Sequence, residues 1–190
     1  PPRILSSAAS DVYKRQAVLV HPTYHGYAAE ISTLIELLHE QGLPVLVDEA
    51  HGAHLAFSSG QGLPASALDA GADLVVHSLH KSAPGLAQTA VLWHRSGRVE
   101  RESLTRALQR LQTTSPSALL LASCEATLDW MLSRRWSAQL ETRLQDARAL
   151  SEHLARRGVL LHATDDPLRL ILATGRIGVS GLQADLRCMD

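Results

Sequence analysis

The sequence predicts an α/β fold, a mostly parallel sheet whose strands alternate with helices, followed by a helical region. Three observations carry this. Short apolar runs recur at strand length: "AVLV" (17–20), "PVLVDEA" (44–50), "ADLVVHS" (72–78) and "TAVLWH" (89–94). Between the first two, Ile31, Leu34, Ile35 and Leu38 fall at helical spacing. The run at 44–50 is continuous rather than alternating, as expected of a strand covered on both faces. Strands separated by helices pair in parallel through right-handed crossovers.

Taken in order, the first sixteen residues, "PPRILSSAASDVYKRQ", show no helical or strand period and no secretory-signal layout. "SSAASDVYKRQ" resembles the translation of an adapter used in library preparation, so 1–16 is expected to be a non-native or disordered tail. "HPTYHG" is a loop after the first strand, and Gly42 closes the first helix. Ser66 to Ala70 reads as a short helix, and a loop runs from the third strand through Lys81. After Arg98 the chain turns helical. Leu104, Ala107, Leu108 and Leu111 mark one helix. Ser115-Pro116 caps a second that carries Leu119 to Leu121 and Trp130, and Trp136, Leu140, Leu144, Ala147 and Leu154 mark a third. "LRLILATG" (168–175) returns to strand, and Ser180 is the expected N-cap of a further helix. The organisation expected is a tail over 1–16, one domain over 17–160, and the truncated start of a following segment over 161–190.

The 190 residues suffice for one core, and 45% hydrophobic against 19% charged content is that of a soluble globular protein. Lys and Arg total 18 against 19 Asp and Glu, so no basic surplus points to nucleic acid, and no run of ~18 apolar residues points to a membrane span. Cys124 and Cys188 are too few and too scattered for a disulfide framework. A reducing, cytoplasmic setting is expected.

Asp48-Glu49-Ala50-His51, within "VLVDEAHGAHLAF", spells a box that helicases use to hold magnesium. Such an ATPase also needs the phosphate cradle G-x-x-x-x-G-K-[ST], which occurs nowhere in this chain. His51 and His54 form H-x-x-H, as do His77 and His80. Helical zinc sites place their histidines four apart so that both rings share a face; spacing of three beside a strand end is less specific, and no metal is expected. A third reading takes Lys81, which follows an apolar strand within "HSLHKSAPGLAQTA". A lysine there faces the crevice where α/β proteins bind ligands, and Asp48 ends a neighbouring strand. A buried carboxylate and an amine at one crevice are the two groups that a pyridoxal phosphate enzyme needs, the amine for a Schiff base and the acid for the pyridinium nitrogen.

"VDEAHGAH", "GADLVVHSLHKSAPGLAQTA" and "LQRLQTTSPSALLLASCEA", in that order, resemble the major domain of the Orn/Lys/Arg decarboxylases. The resemblance runs from about Ala17 to the last residue, and "SLHKSAPGLAQTA" is its most specific part. It implies a partial three-layer domain of the aspartate-aminotransferase type with pyridoxal 5'-phosphate as cofactor. It also implies decarboxylation of arginine, lysine or ornithine to an amine, in polyamine biosynthesis. Carried over, Lys81 is the Schiff-base lysine, Asp48 the acid at the ring nitrogen and Ala50 the small residue beneath the ring. Ser78 and His80 contact the cofactor phosphate, and His51 lies near the ring oxygen or the substrate. His21, Thr23 and Tyr24 occupy the ring-oxygen loop. "TTSPS" reaches a neighbouring subunit's phosphate, so a homodimer or larger homo-oligomer is implied. The sequence departs from the family at Ser82-Ala83 and at Pro84, which biases Ala83 toward extended backbone. The phosphate-binding turn and the ring-stacking histidine of the family are expected upstream of Ala17. An aminotransferase or related lyase could use the same Lys81 and Asp48, and an inactive fragment or metal-binding module is the non-enzymatic alternative.

Overall fold

A computed structural model of the chain describes residues 16–58, 62–95 and 97–173. Residues 1–15 of the expected tail and the expected cap at Ser180 lie outside the described residues. β1 (Ala17–Val20), β2 (Val45–Asp48) and β3 (Leu74–Ser78) run parallel in that order, and β4 (Ala90–His94) closes the row antiparallel to β3. This is the mostly parallel α/β sheet followed by helices that the sequence predicts.

α1 (Ile31–Glu40) connects β1 to β2 and buries Ile31 and Ile35 in a cluster with Val45, Val47 and Val75. Each such side chain contributes about 1.5–3 kcal/mol. The helix stops where Gly42 takes a left-handed φ of +70°, its N–H donating to the His39 carbonyl at 2.9 Å. At the same end of the sheet, Asp73 ties three elements together. Its Oδ2 accepts from the Val45 N–H at 2.8 Å and lies 2.8 Å from His39 Nε2.

Coverage of the sheet is less even than the apolar runs suggested. Val18 and Val20 on β1 are 61% and 62% exposed, so the face of β1 away from α1 is open among the described residues. The expected helix at Ser66–Ala70 is a single hydrogen-bonded turn. Ala70 N–H donates to the Ser66 carbonyl at 3.0 Å, and Gly71 then turns left-handed at φ +90°, which ends it.

Three helices follow β4: α3 (Arg101–Leu111), α4 (Ala118–Met131) and α5 (Arg134–Arg156). The cap of α4 is Ser117, whose Oγ accepts from the Leu120 N–H, and not Ser115-Pro116. Only Ser117 stands three residues before that orphan amide. Met131, Trp136, Leu140 and Leu144 from α4 and α5 bury Ala53 and Leu79, the latter beside the end of β3. Of the described part of "LRLILATG", Ile171–Leu172 is strand (β6), paired antiparallel with Leu161–His162 (β5), a strand not expected from the sequence. Residues from 174 onward lie outside the described set. Among the described residues no helix is long and apolar enough to cross a membrane.

Candidate active site

The C-terminal ends of β2 and β3 lie side by side, Asp48 in register with Val76, and Ser78 is the last residue of β3. The chain then makes one helical turn, α2 (Leu79–Ser82), where a loop was expected. Two constraints coil it. Leu79 is fully buried and anchors the turn from below, its carbonyl accepting from the Gly85 N–H at 3.2 Å. Pro84 forces Ala83 to extended backbone (φ −138°, ψ 163°), which ends the turn at Ser82. Gly85 has no substitute here, because a Cβ on it would lie 2.5 Å from Thr89 Oγ1 and 2.9 Å from Leu79 Cβ.

This turn presents Lys81 to solvent with Nζ 3.2 Å from His51 Nε2. His51 sits on the tight turn after β2, where Gly52 N–H donates to the Glu49 carbonyl. Gly52 is packed so closely that a Cβ would meet Pro22 Cδ at 2.5 Å. Tyr24 stands edge-on to the His51 ring at 5.1 Å. Asp48 is exposed rather than buried as expected, because it ends β2 on the same open face as Val20, its register partner. Its Oδ1 accepts from the Ala50 N–H at 3.0 Å, and Ala50 itself is buried. His80 Nδ1 lies 3.0 Å from the Thr89 carbonyl and so donates to it; Ser78 begins the turn without a side-chain cap bond. Thr23 Oγ1 accepts from Tyr27 N–H within its own loop. His21 is buried, its Nε2 2.9 Å from the Ala65 carbonyl. The structure thus gathers Lys81, His51, Tyr24 and Asp48, and leaves His21 and Thr23 in supporting positions.

Two features escaped the sequence reading. Arg169, from the turn before β6, places Nη2 3.4 Å from the His51 carbonyl. Burial, then the Lys81 and Arg169 charges, push the His51 pKa below its usual value against the opposing pull of Asp48. No local signal marks Arg169, because its partner is 118 residues away in the chain. The second feature is a buried network under the crevice. Glu49 accepts from the Ala67 N–H at 2.8 Å and from His77 Nε2 at 2.7 Å, and Trp93 Nε1 donates to His77 Nδ1 at 2.9 Å. Trp can only donate, so His77 carries its hydrogen on Nε2 and gives it to Glu49.

The two H-x-x-H strings do not converge. His77 faces Glu49, His80 faces Thr89, His51 faces Lys81, and His54 Nε2 lies 3.2 Å from Asp166 Oδ2. Among the described residues no group of three or more His, Cys, Asp or Glu side chains could hold a metal ion.

The family described as Orn/Lys/Arg decarboxylase, major domain, matches residues 3–174. An arginine decarboxylase of Bacillus cereus is 34% identical over an alignment of 179 positions that covers 89% of this chain and 38% of that protein. One of Bacillus subtilis is 36% identical over an alignment of 177 positions that covers 86% of this chain and 35% of that protein. The chain therefore spans well under half the length of these relatives. Among solved structures, a serine palmitoyltransferase of Sphingomonas wittichii superposes with a TM-score of 0.57 at 20% identity, covering 80% of this chain and 37% of that one. A SepCysS–SepCysE N-terminal domain complex gives 0.54 at 17%, covering 77% and 39%. At such identities the likeness is one of fold alone.

Proposed function

We propose, because this chain belongs to the Orn/Lys/Arg decarboxylase family, that the protein in its natural length removes CO2 from a basic amino acid with pyridoxal phosphate held at Lys81 and Asp48. Arginine is the first substrate to test, since the relatives above carry that name. The observation that carries the reading is a primary amine and a carboxylate at the ends of β3 and β2, both exposed and neither ion-paired among the described residues. An amine open to attack a carbonyl and an acid open to receive a protonated nitrogen are the donor set that this cofactor requires, so the residues fit it.

When bound, the cofactor supplies an electron sink for the carbanion left by CO2. The chain's own groups do the rest. Lys81 Nζ is the nucleophile and the amine that later displaces the product. The Asp48 carboxylate, oriented by the Ala50 N–H, raises the proton affinity of a nitrogen set against it. Ala50 is small and buried flush beside Asp48, which leaves room for a flat ring. Ser78 and His80 at the start of α2 would contact the phosphate, and His51, with the Tyr24 ring edge-on to it, would lie near the ring oxygen or the substrate. "TTSPS" stands exposed before α4, available to the site of a second copy in a homodimer. Residues 17–160 form the cofactor-binding part in this reading. The separate two-stranded sheet that begins at Leu161 supports a following segment that starts at 161.

Borohydride reduction of the pyridoxal-phosphate-treated protein, followed by peptide mapping, tests this. A phosphopyridoxyl group on Lys81, with CO2 release from arginine, lysine or ornithine, is expected; a label on Lys14, the other lysine of the sequence, sinks the assignment.

A further inference from the structure

We propose that Arg169 is a positioning residue that keeps the His51 ring as the proton acceptor for the Lys81 ammonium. The proposal rests on the reading of Lys81 as the nucleophile, which an ammonium cannot be until it gives up a proton. At 3.2 Å from Lys81 Nζ, His51 Nε2 is the atom placed to take it. An ammonium has only donors, so the contact demands a lone pair on Nε2 and puts the ring's own hydrogen on Nδ1. Among the described residues Nδ1 is buried without a partner, so no described group on that side favours this tautomer, and what faces Nε2 must select it.

Arg169 is built into place rather than free. Its N–H donates to the Asp166 carbonyl at 2.9 Å, its Nε lies 3.9 Å from Asp166 Oδ2, and its Nη2 reaches the His51 carbonyl at 3.4 Å. Its side chain lies so close over Gly26 that a Cβ there would be 2.7 Å from Arg169 Cβ and Cγ. The same turn is fastened to the Tyr24 loop. Asp165 and Asp166 N–H both donate to the Gly26 carbonyl at 3.0 Å, and Asp165 Oδ2 accepts from the Ala28 N–H at 2.7 Å. One turn, more than a hundred residues downstream of His51, therefore fixes both the charge at the His51 backbone carbonyl and the loop that bears Tyr24.

The groups facing His51 are Lys81 from α2, Arg169 from this turn, Asp48 from β2 and the Tyr24 ring. Two cations against one carboxylate disfavour a second proton on the ring until Lys81 delivers it. Arg169 contributes at every working pH, because a guanidinium does not lose its charge. In the transfer one Nζ–H bond breaks and an Nε2–H bond forms. The bonding electrons stay on Nζ as its lone pair, the positive charge passes to the ring, and the ring releases the proton to water.

The test follows the His51 ring by proton NMR titration of the whole protein without cofactor, with His51→Gln identifying its resonances. Arg169→Gln is expected to raise the His51 midpoint, and Arg169→Lys, which keeps the charge, to leave it near that of the parent. An unmoved or lowered midpoint in Arg169→Gln overturns the proposal. Should that variant not fold, Lys81→Met removes the other cation, and a His51 midpoint that fails to rise there overturns the contact itself. In the loaded enzyme the acid limb of kcat/KM moves to higher pH in Arg169→Gln. A rise in the NMR midpoint without CO2 release from any basic amino acid leaves the His51 inference standing and removes the decarboxylase reading.

Discussion

Two carboxylates stand next to each other at the end of β2, and the fold puts them to opposite uses. Asp48 is exposed, held by a single backbone N–H from Ala50. Glu49 is 0% exposed and accepts from both His77 and the Ala67 backbone. The partner strand repeats the division: His77 is fully buried against Glu49, whereas Ser78 and Lys81 lie toward the crevice. A strand sends successive side chains to opposite faces, so a two-letter step separates a group kept for chemistry from a group kept for structure. A buried carboxylate is sustained only when its oxygens are paired, and Glu49 meets that condition where Asp48 has no need to.

The comparison breaks most visibly at Asp48. Asp48→Asn keeps the shape and a hydrogen-bonding oxygen but removes the charge, so turnover in the natural-length protein should fall about a hundredfold, ~3 kcal/mol, while folding stability hardly changes. Steady-state kinetics beside a urea melt separate the two. Near-normal turnover would make Asp48 a surface residue.

Glu49→Ala should show the reverse pattern. It leaves the His77 Nε2–H and the Ala67 N–H unpaired in the core, which costs about 2–3 kcal/mol of stability. Equilibrium denaturation reads this directly. A loss within 0.5 kcal/mol would mean that water reaches the site and that the network is not closed.

How far the sequence could lead is set by the same contrast. The strands and the Ile31–Leu38 helix face were legible because each rests on period or on short-range spacing. Pro84 was read as a departure, and its expected effect on Ala83 is what ends α2 at Ser82. The burial of Glu49 rather than Asp48 was not legible, since it depends on what covers each face. Arg169 and Asp166 were beyond reach for a different reason: their partners are the Tyr24 loop and the β2 turn, brought near only by the completed fold.

Asp166 offers a pH test of that late-arriving turn. Burial pushes its pKa up, but the His54 ring 3.2 Å away, the Leu168 N–H and Arg169 outweigh it, and the net shift is down. A carboxylate depressed in the folded state adds stability above its unfolded pKa and loses it as pH falls through the folded value. Acid unfolding should therefore steepen below the usual aspartate range. In Asp166→Asn that part of the slope should vanish, with about 1.5 kcal/mol lost at neutral pH, the worth of a hydrogen bond to a charged group. An unchanged slope would place the acid sensitivity elsewhere.

The smallest effect expected is at Trp93, and it bears most closely on the division between structure and chemistry. Trp93 is only half-buried, and its indole donates one hydrogen bond, to His77 Nδ1. Trp93→Phe keeps an aromatic ring against Phe57, whose centroid lies 6.4 Å away, and removes that donor. The loss of one neutral hydrogen bond is worth about 1 kcal/mol. The consequence should spread no further than the network. His77 is freed to place its hydrogen on either nitrogen, but Glu49 still accepts from Ala67, and the residues on the crevice side keep their partners. A urea melt should thus show a loss near 1 kcal/mol, with borohydride labelling of Lys81 and turnover both within twofold of the parent. A tenfold fall in either, at that modest cost in stability, would mean that the buried network tunes the crevice and that the two faces of β2 and β3 are coupled rather than separate.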